Sequence, residues 1–187
     1  EGKAHLRIEN RVLPSGPSVV DEVANAAFFF GMMAGLASCA GDIPRRVRFD
    51  DAKDNFFRAA RHGLDAQVRW IDGKSHPVAA LIREELLPAA REGLAARGVA
   101  SDDVDYYLGV IDDRVRTERT GAKWIVESLV SMASGSDATA EVRSRALVHA
   151  MLDAQAAGMP VSEWPLAEVR PDAEPWRQSF GTVGQVM

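Results

Sequence analysis

The chain has 187 residues, with 22 Lys and Arg against 27 Asp and Glu, so its formal charge at pH 7 is −5 with neutral histidines. This acidic balance argues against a nucleic acid or an anionic membrane surface as a partner, because either would favour a basic face. Hydrophobic residues make up 47% and charged residues 26%, which excludes disordered and collagen-like classes, and the single cysteine excludes an internal disulfide and predicts a cytoplasmic protein.

The first predicted element is a strand over residues 4–13. Its side chains alternate with a period of two, which is typical of a strand with one apolar and one polar face. The apolar face carries Leu6, Ile8 and Val12, and the polar face carries His5, Arg7, Glu9 and Arg11. One strand leaves its backbone groups unpaired, so we expect partner strands from missing sequence or from another subunit. The start at Glu1, without an initiator Met or a signal-peptide pattern, indicates a piece cut from a longer protein.

Residues 18–157 are predicted to be helical. The first helix runs from a Ser18 cap to about Cys39, and it is too short and too rich in Ala, Gly and Ser to be a membrane span. We expect it to be buried on nearly all sides, with Phe28–Phe30 in the core under the strand. The other helices are predicted over 51–62, over 78–97 with a kink at Pro88, from Asp102, from about Thr120, and over 139–157. Residues 158–187 are predicted to be an irregular tail on the surface.

Two charged residues on the polar strand face are candidates for chemistry. Glu9 could ligate Mg²⁺ through oxygen, while Arg11, two residues later on the same face, could neutralise charge on a transferred phosphoryl group. The alternative is a solvated sheet face with cross-strand ion pairs. Spacing alone leaves both interpretations open.

Three segments share a resemblance that goes beyond spacing. They are residues 5–18 (HLRIENRVLPSGPS), which continue as 20–29 (VDEVANAAFF), residues 59–66 (AARHGLDA) and residues 158–164 (GMPVSEW). Together they resemble the C-terminal half of the bacterial glutamate–cysteine ligase-like family of carboxylate–amine ligases. The helices between these segments are generic.

The resemblance implies a glutamine-synthetase-like α+β fold in which a curved antiparallel sheet holds Mg-ATP on one face and helices cover the other. Residues 1–187 would then be a single C-terminal helical domain or fragment, mainly α, with its one N-terminal strand in the larger sheet. The family phosphorylates the γ-carboxylate of glutamate with ATP, and an amine such as cysteine, as in glutathione biosynthesis, attacks the acyl phosphate. The match to the Glu-x-Arg strand motif implies that Glu9 is a Mg²⁺ ligand and that Arg11 is the catalytic, phosphate-stabilising residue.

Arg61 in the second segment is a candidate for nucleotide binding, with a structural ion pair to Asp54 or Asp65 as the alternative. The predicted partners are ATP, glutamate, an amine acceptor and a second copy of the chain, since an unpaired strand edge favours homo-oligomers. We expect no ligase activity from this piece alone, because most substrate-binding groups of the family lie N-terminal to it. The alternative function is a non-catalytic helical module of the same family, used for dimerisation or partner binding.

Overall fold

The computed structural model describes residues 2, 4, 16–39 and 41–169, and this part of the chain is mainly helical, as predicted. The predicted strand, including Glu9 and Arg11, lies outside the described residues except for Ala4, and so does the tail from residue 170. The helices are α1 (Val19–Cys39), α2 (Ile43–Arg46), α3 (Phe49–His62), α4 (Val78–Leu81), α5 (Leu87–Ala95), α6 (Ser101–Arg116), α7 (Gly121–Gly135) and α8 (Ala140–Ala156).

Side-chain caps explain where three of these helices begin. The hydroxyl oxygens of Ser18, Thr120 and Thr139 each accept a hydrogen bond from the backbone N–H three residues further on, at 3.2–3.3 Å. These bonds satisfy donors that have no partner within the first helical turn.

The backbone widens locally just before Pro88, between α4 and α5. Between α4 and α5, residues Ile82–Leu86 form a turn of π-helix, and Pro88 follows in the first turn of α5. Pro88 has no N–H to donate and its ring crowds the carbonyl four residues earlier, so the wider turn accommodates it. The single helix predicted over 78–97 is thus divided into α4, this π turn and α5.

A short hairpin interrupts the helices. Strands β1 (Gln67–Arg69) and β2 (Ser75–Pro77) pair antiparallel, with Val68 opposite His76. The prediction of helices alone over residues 18–157 is wrong here, because three-residue strands are too short to show an alternating pattern. In the hairpin loop, the Asp72 carboxylate accepts bonds from the Lys74 N–H at 2.9 Å and from His76 Nε2 at 3.0 Å.

Helices α1 and α5 pack with their backbones in direct contact. Gly31 and Gly35 on α1 face Ala89, Ala90 and Gly93 on α5, and a Cβ atom at Gly35 would overlap the carbonyl oxygen of Ala89. This approach is possible only because the glycines lack side chains. Helix α6 completes the main core by burying Val104, Leu108, Ile111 and Val115.

A second cluster joins α7 and α8 to the segment that follows them. Trp124 and Trp164 are 1% and 0% exposed, and their rings meet edge to face with centroids 5.0 Å apart. Each indole N–H donates to a backbone carbonyl, that of Pro165 or Met159. The predicted irregular backbone is confirmed over residues 164–169, but its placement on the surface is wrong, because Val161, Trp164 and Ala167 are core residues.

Helix α1 is less buried than predicted. Phe30 is 65% exposed, whereas Phe28 packs against the core, because the two side chains lie on different sides of the helix. Residues 19–38 are long and apolar enough to cross a membrane, judged by length and composition alone. Of the most apolar 18-residue stretch within them, 22% is buried in the fold. Burial on nearly all sides is therefore wrong.

Two Gly→Ala substitutions, one inside the contact between α1 and α5 and one in an open position on α6, should have opposite effects on stability. Gly35→Ala forces α1 and α5 apart, and we expect the free energy of unfolding to fall by about 1–3 kcal/mol. Gly109→Ala in α6 meets no atom within 4 Å, so higher helix propensity should raise stability by about 0.5–1 kcal/mol. Urea unfolding of both variants measures the difference, and equal losses would contradict the close packing.

The hairpin loop predicts a pH dependence. The Lys74 N–H and then His76 hold the pKa of Asp72 below its ordinary value of 3.8, although partial desolvation opposes them. Because the folded pKa is lowered, this contribution to stability is present above the ordinary value and is lost as the pH falls through the folded pKa. We expect the wild type to be more stable than Asp72→Asn near neutral pH and the difference to disappear in acid. Urea unfolding of both proteins across pH measures this, and a difference that grows in acid would contradict it.

Candidate functional site

A buried carboxylate lies at the first turn of α1. Asp21 is 0% exposed, and its Oδ1 accepts a hydrogen bond of 2.6 Å from Arg114 Nη2 on α6. Its Oδ2 accepts bonds from the Ser18 hydroxyl at 2.8 Å and from the Val161 N–H at 3.0 Å. Three donors therefore satisfy the charge, which a buried carboxylate requires.

Arg114 is the charge partner and extends the network along α1. Its side chain is 15% exposed, and Nη1 donates to Asn25 Oδ1 at 2.6 Å. The sequence analysis missed this cluster, because acidic residues in a first helical turn are adequately explained by the helix dipole. The available signal was the position of Arg114 within the apolar stripe of α6, beside Ile111 and Val115.

Further contacts hold the chain where it enters α1. Gln155 Nε2 donates to the carbonyl oxygen of Pro17 at 2.6 Å, and the Pro17 ring lies directly over Gly121. Arg119 Nη1 donates to the carbonyl oxygen of Trp164 at 2.8 Å. The stretch 20–29 of the first segment that carries the resemblance meets the third segment, 158–164, because the Val161 N–H donates to Asp21.

Arg61 lies apart from this cluster. It is exposed in the last turn of α3 and forms no ion pair with Asp54 or Asp65, so that predicted pairing is wrong. It lines an open depression of about 500 Å³ together with Asp54, Phe57, Arg58, Ala60 and His62. All six residues belong to α3, so the depression has no opposing wall among the lining residues. Its nucleotide-binding role stays a prediction.

The predicted metal ligand stays untested as well. Among the described residues, no three His, Cys, Asp or Glu side chains come together as a metal site. Glu9, on which the Mg²⁺ prediction rests, lies outside the described residues.

Comparisons with protein-family models, with curated proteins and with solved structures found no match to this chain.

The buried ion pair predicts a large loss of stability from one substitution. Arg114→Met keeps much of the side-chain volume but leaves the Asp21 carboxylate buried without its cation, and we expect a loss of about 3–5 kcal/mol. The control is Arg116→Met, which removes an exposed pair with Asp113 and should cost less than about 1 kcal/mol. Urea unfolding compares the two variants, and similar losses would show that the Asp21 pair is solvated.

Proposed function

We propose that this chain is the C-terminal helical part of an ATP-dependent carboxylate–amine ligase of the glutamate–cysteine ligase-like type, acting in the cytoplasm. In this proposal the strand over residues 4–13 belongs to a larger antiparallel sheet, in a glutamine-synthetase-like fold, and the helices cover one face of that sheet. The observation that carries the proposal is the exposed apolar face of α1.

The outer face of α1 is a continuous apolar stripe. Val19, Val23, Phe30 and Met33 are 74%, 38%, 65% and 47% exposed. Their spacing of four, seven and three residues puts them on one side of the helix, opposite the glycines that contact α5. A helix that is apolar on two opposite sides has the pattern of a layer between two others.

The predicted strand matches this stripe in length. Ten extended residues span about 33 Å, and the 21 residues of α1 span about 31 Å. The segment Pro14-Ser15-Gly16-Pro17 has the composition of a turn, and a strand running back along α1 from such a turn would cover the stripe with its apolar face. Glu9 and Arg11 would then lie on the opposite face, which the helices leave open.

The Asp21 cluster supports the same arrangement. It holds the first turn of α1 against α6 and against residue 161, a few residues after the predicted strand would end. A strand that carries reacting groups needs such support, because catalytic geometry depends on residues that position the first contacts. The helices would therefore serve to position Glu9 and Arg11.

The chemistry proposed for the open face is phosphoryl transfer followed by amide formation. The γ-phosphoryl group of ATP passes to a γ-carboxylate oxygen of glutamate and leaves ADP. The nitrogen of an amine such as cysteine then attacks the acyl carbon, expels inorganic phosphate and loses a proton. Glu9 would hold Mg²⁺, which neutralises phosphate charge when bound, and Arg11 would face the transferred group.

A non-catalytic helical module for dimerisation or partner binding is the second candidate. It is favoured by the exposed phenylalanines of α3, which have no place in the ligase chemistry.

Kinetics of two variants in the full-length parent protein test the ligase proposal. Glu9→Gln should lower turnover with Mg-ATP, glutamate and cysteine, and higher Mg²⁺ should partly restore it. Arg11→Lys should lower kcat by about 10²–10³ with little change in KM, since an ammonium cannot reproduce the planar two-pronged contact. Steady-state assays at low and high Mg²⁺ measure both effects.

The matched controls are Glu141→Gln and Arg145→Lys, which alter an exposed ion pair on α8 and should leave the kinetics unchanged. If Glu9→Gln and Arg11→Lys both stay within about twofold of the wild type, the pair is an ordinary surface ion pair. That result would contradict the ligase proposal and favour the non-catalytic module.

A further inference from the structure

Helix α3 packs through its polar side. The Asn55 side chain forms two hydrogen bonds with the backbone of Arg69 on β1, donating through Nδ2 at 2.7 Å and accepting through Oδ1 at 2.8 Å. Asp51, one turn earlier, lies 3.8 Å from the Arg69 guanidinium. No residue of α3 is buried. The helix is therefore held to the hairpin by polar contacts rather than by an apolar core.

The apolar side of α3 faces away from the hairpin. Phe49, Phe56 and Phe57 are 81%, 53% and 59% exposed, and the alanines at positions 52 and 60 on the same side are exposed too. Lys53 is the one charged residue on this side, and its long apolar stem allows the ammonium to stay in water beside the rings. A helix of 14 residues gains little stability from propensity alone and normally depends on packing of its apolar face. In the described part of the chain, nothing buries this face.

The charges along α3 are arranged to complement a second copy of the same helix. Asp50, Asp51 and Asp54 lie in its first half together with one cation, Lys53, and Arg58, Arg61 and His62 lie in its second half. Asp50 and Arg61 are eleven residues apart, about three turns, so they lie on the same side of the helix beside the phenylalanines. In the monomer, Asp50 forms a 3.9 Å ion pair with Arg48. Both side chains are about 80% exposed, so this pair contributes little to stability.

We propose that the α3 face formed by Phe49, Phe56 and Phe57 binds the same face of a second copy of this chain, antiparallel and about a twofold axis. In a twofold antiparallel pair, the same side of each helix meets the other with its direction reversed. Asp50 of each copy then lies opposite Arg61 of its partner, and the two Phe56 rings meet near the axis. The dipoles of two antiparallel helices point in opposite directions, which also favours this arrangement.

The exposed rings set the strength of this contact. At these exposures, the three phenylalanines of each copy offer about 400 Å² of solvent-accessible surface to a partner. Two copies would bury about 800 Å² in total, which is below the roughly 1,200–2,000 Å² of a standard stable interface, so we expect weak and reversible association. This inference does not rest on the ligase proposal, because neither Glu9 nor Arg11 takes part.

Sedimentation velocity of the 187-residue chain over two decades of concentration, without nucleotide, tests the surface. The wild type should shift from monomer to dimer as concentration rises. Phe56→Glu should abolish the shift, because it buries two charges at the axis. Val130→Glu on α7, at a position 60% exposed, is the matched control and should leave the association unchanged. Circular dichroism should show that both variants keep the helical fold.

A charge exchange tests the antiparallel register. Asp50→Arg and Arg61→Asp should each weaken self-association at least about tenfold, because each puts like charges opposite one another in both pairs. Each protein alone should dimerise only at concentrations at least about tenfold higher than the wild type, whereas an equimolar mixture should dimerise in the wild-type range, since both pairs are again attractive. The double exchange in one chain should restore the wild-type dimer.

Three results would overturn the proposal. The first is a wild type that stays monomeric at every concentration, which would leave this face to another partner. The second is a dimer that Phe56→Glu does not affect. The third is a mixture of the two charge variants that fails to associate, which would show that the helices do not pair in the antiparallel register.

Discussion

The close approach of α1 to α5 determines how the other elements are arranged. Where Gly31 and Gly35 meet Gly93, backbone contacts backbone, and no side chain can rotate to make room. This contact sets the rotation of α1 about its own axis. Because one side is held against α5, Asp21 turns toward α6, and the stripe that includes Phe30 turns outward. The buried ion pair and the exposed apolar face are thus two consequences of one steric constraint.

Most helices were predictable because their signals are local. Caps at Ser18, Thr120 and Thr139, and an apolar period of 3.6 residues in α6, act within a few residues of the chain. The hairpin was not predictable from local signals. Each strand has only three residues and is stabilised by α3 and by the other strand rather than by its own sequence. The pattern of α3 also predicts a helix without saying which face is buried, because amphipathicity fixes a period and not a neighbour.

The residues of the candidate site also fall into those that a local pattern indicates and those that depend on distant contacts. Glu9 and Arg11 were selected by a short strand motif, which needs no knowledge of distant contacts. The pairing of Asp21 with Arg114 spans 93 residues, and a local explanation of Asp21 as a helix-dipole acid was already sufficient. Trp164 was similarly assigned to a surface tail, because proline-rich composition indicates irregular backbone and says nothing about burial.

The bond between Asp21 and the Val161 N–H has a consequence for how the protein is made. It joins residues 140 positions apart, so its partner is among the last described residues to be synthesised. A ribosome adds residues from the N-terminus onward at about 5–20 per second, and α1 is complete long before residue 161 emerges. Until then the Asp21 carboxylate must stay hydrated, and the first turn of α1 cannot reach its final buried state. The first turn of α1 is therefore completed only after residue 161 has been synthesised, long after the rest of that helix.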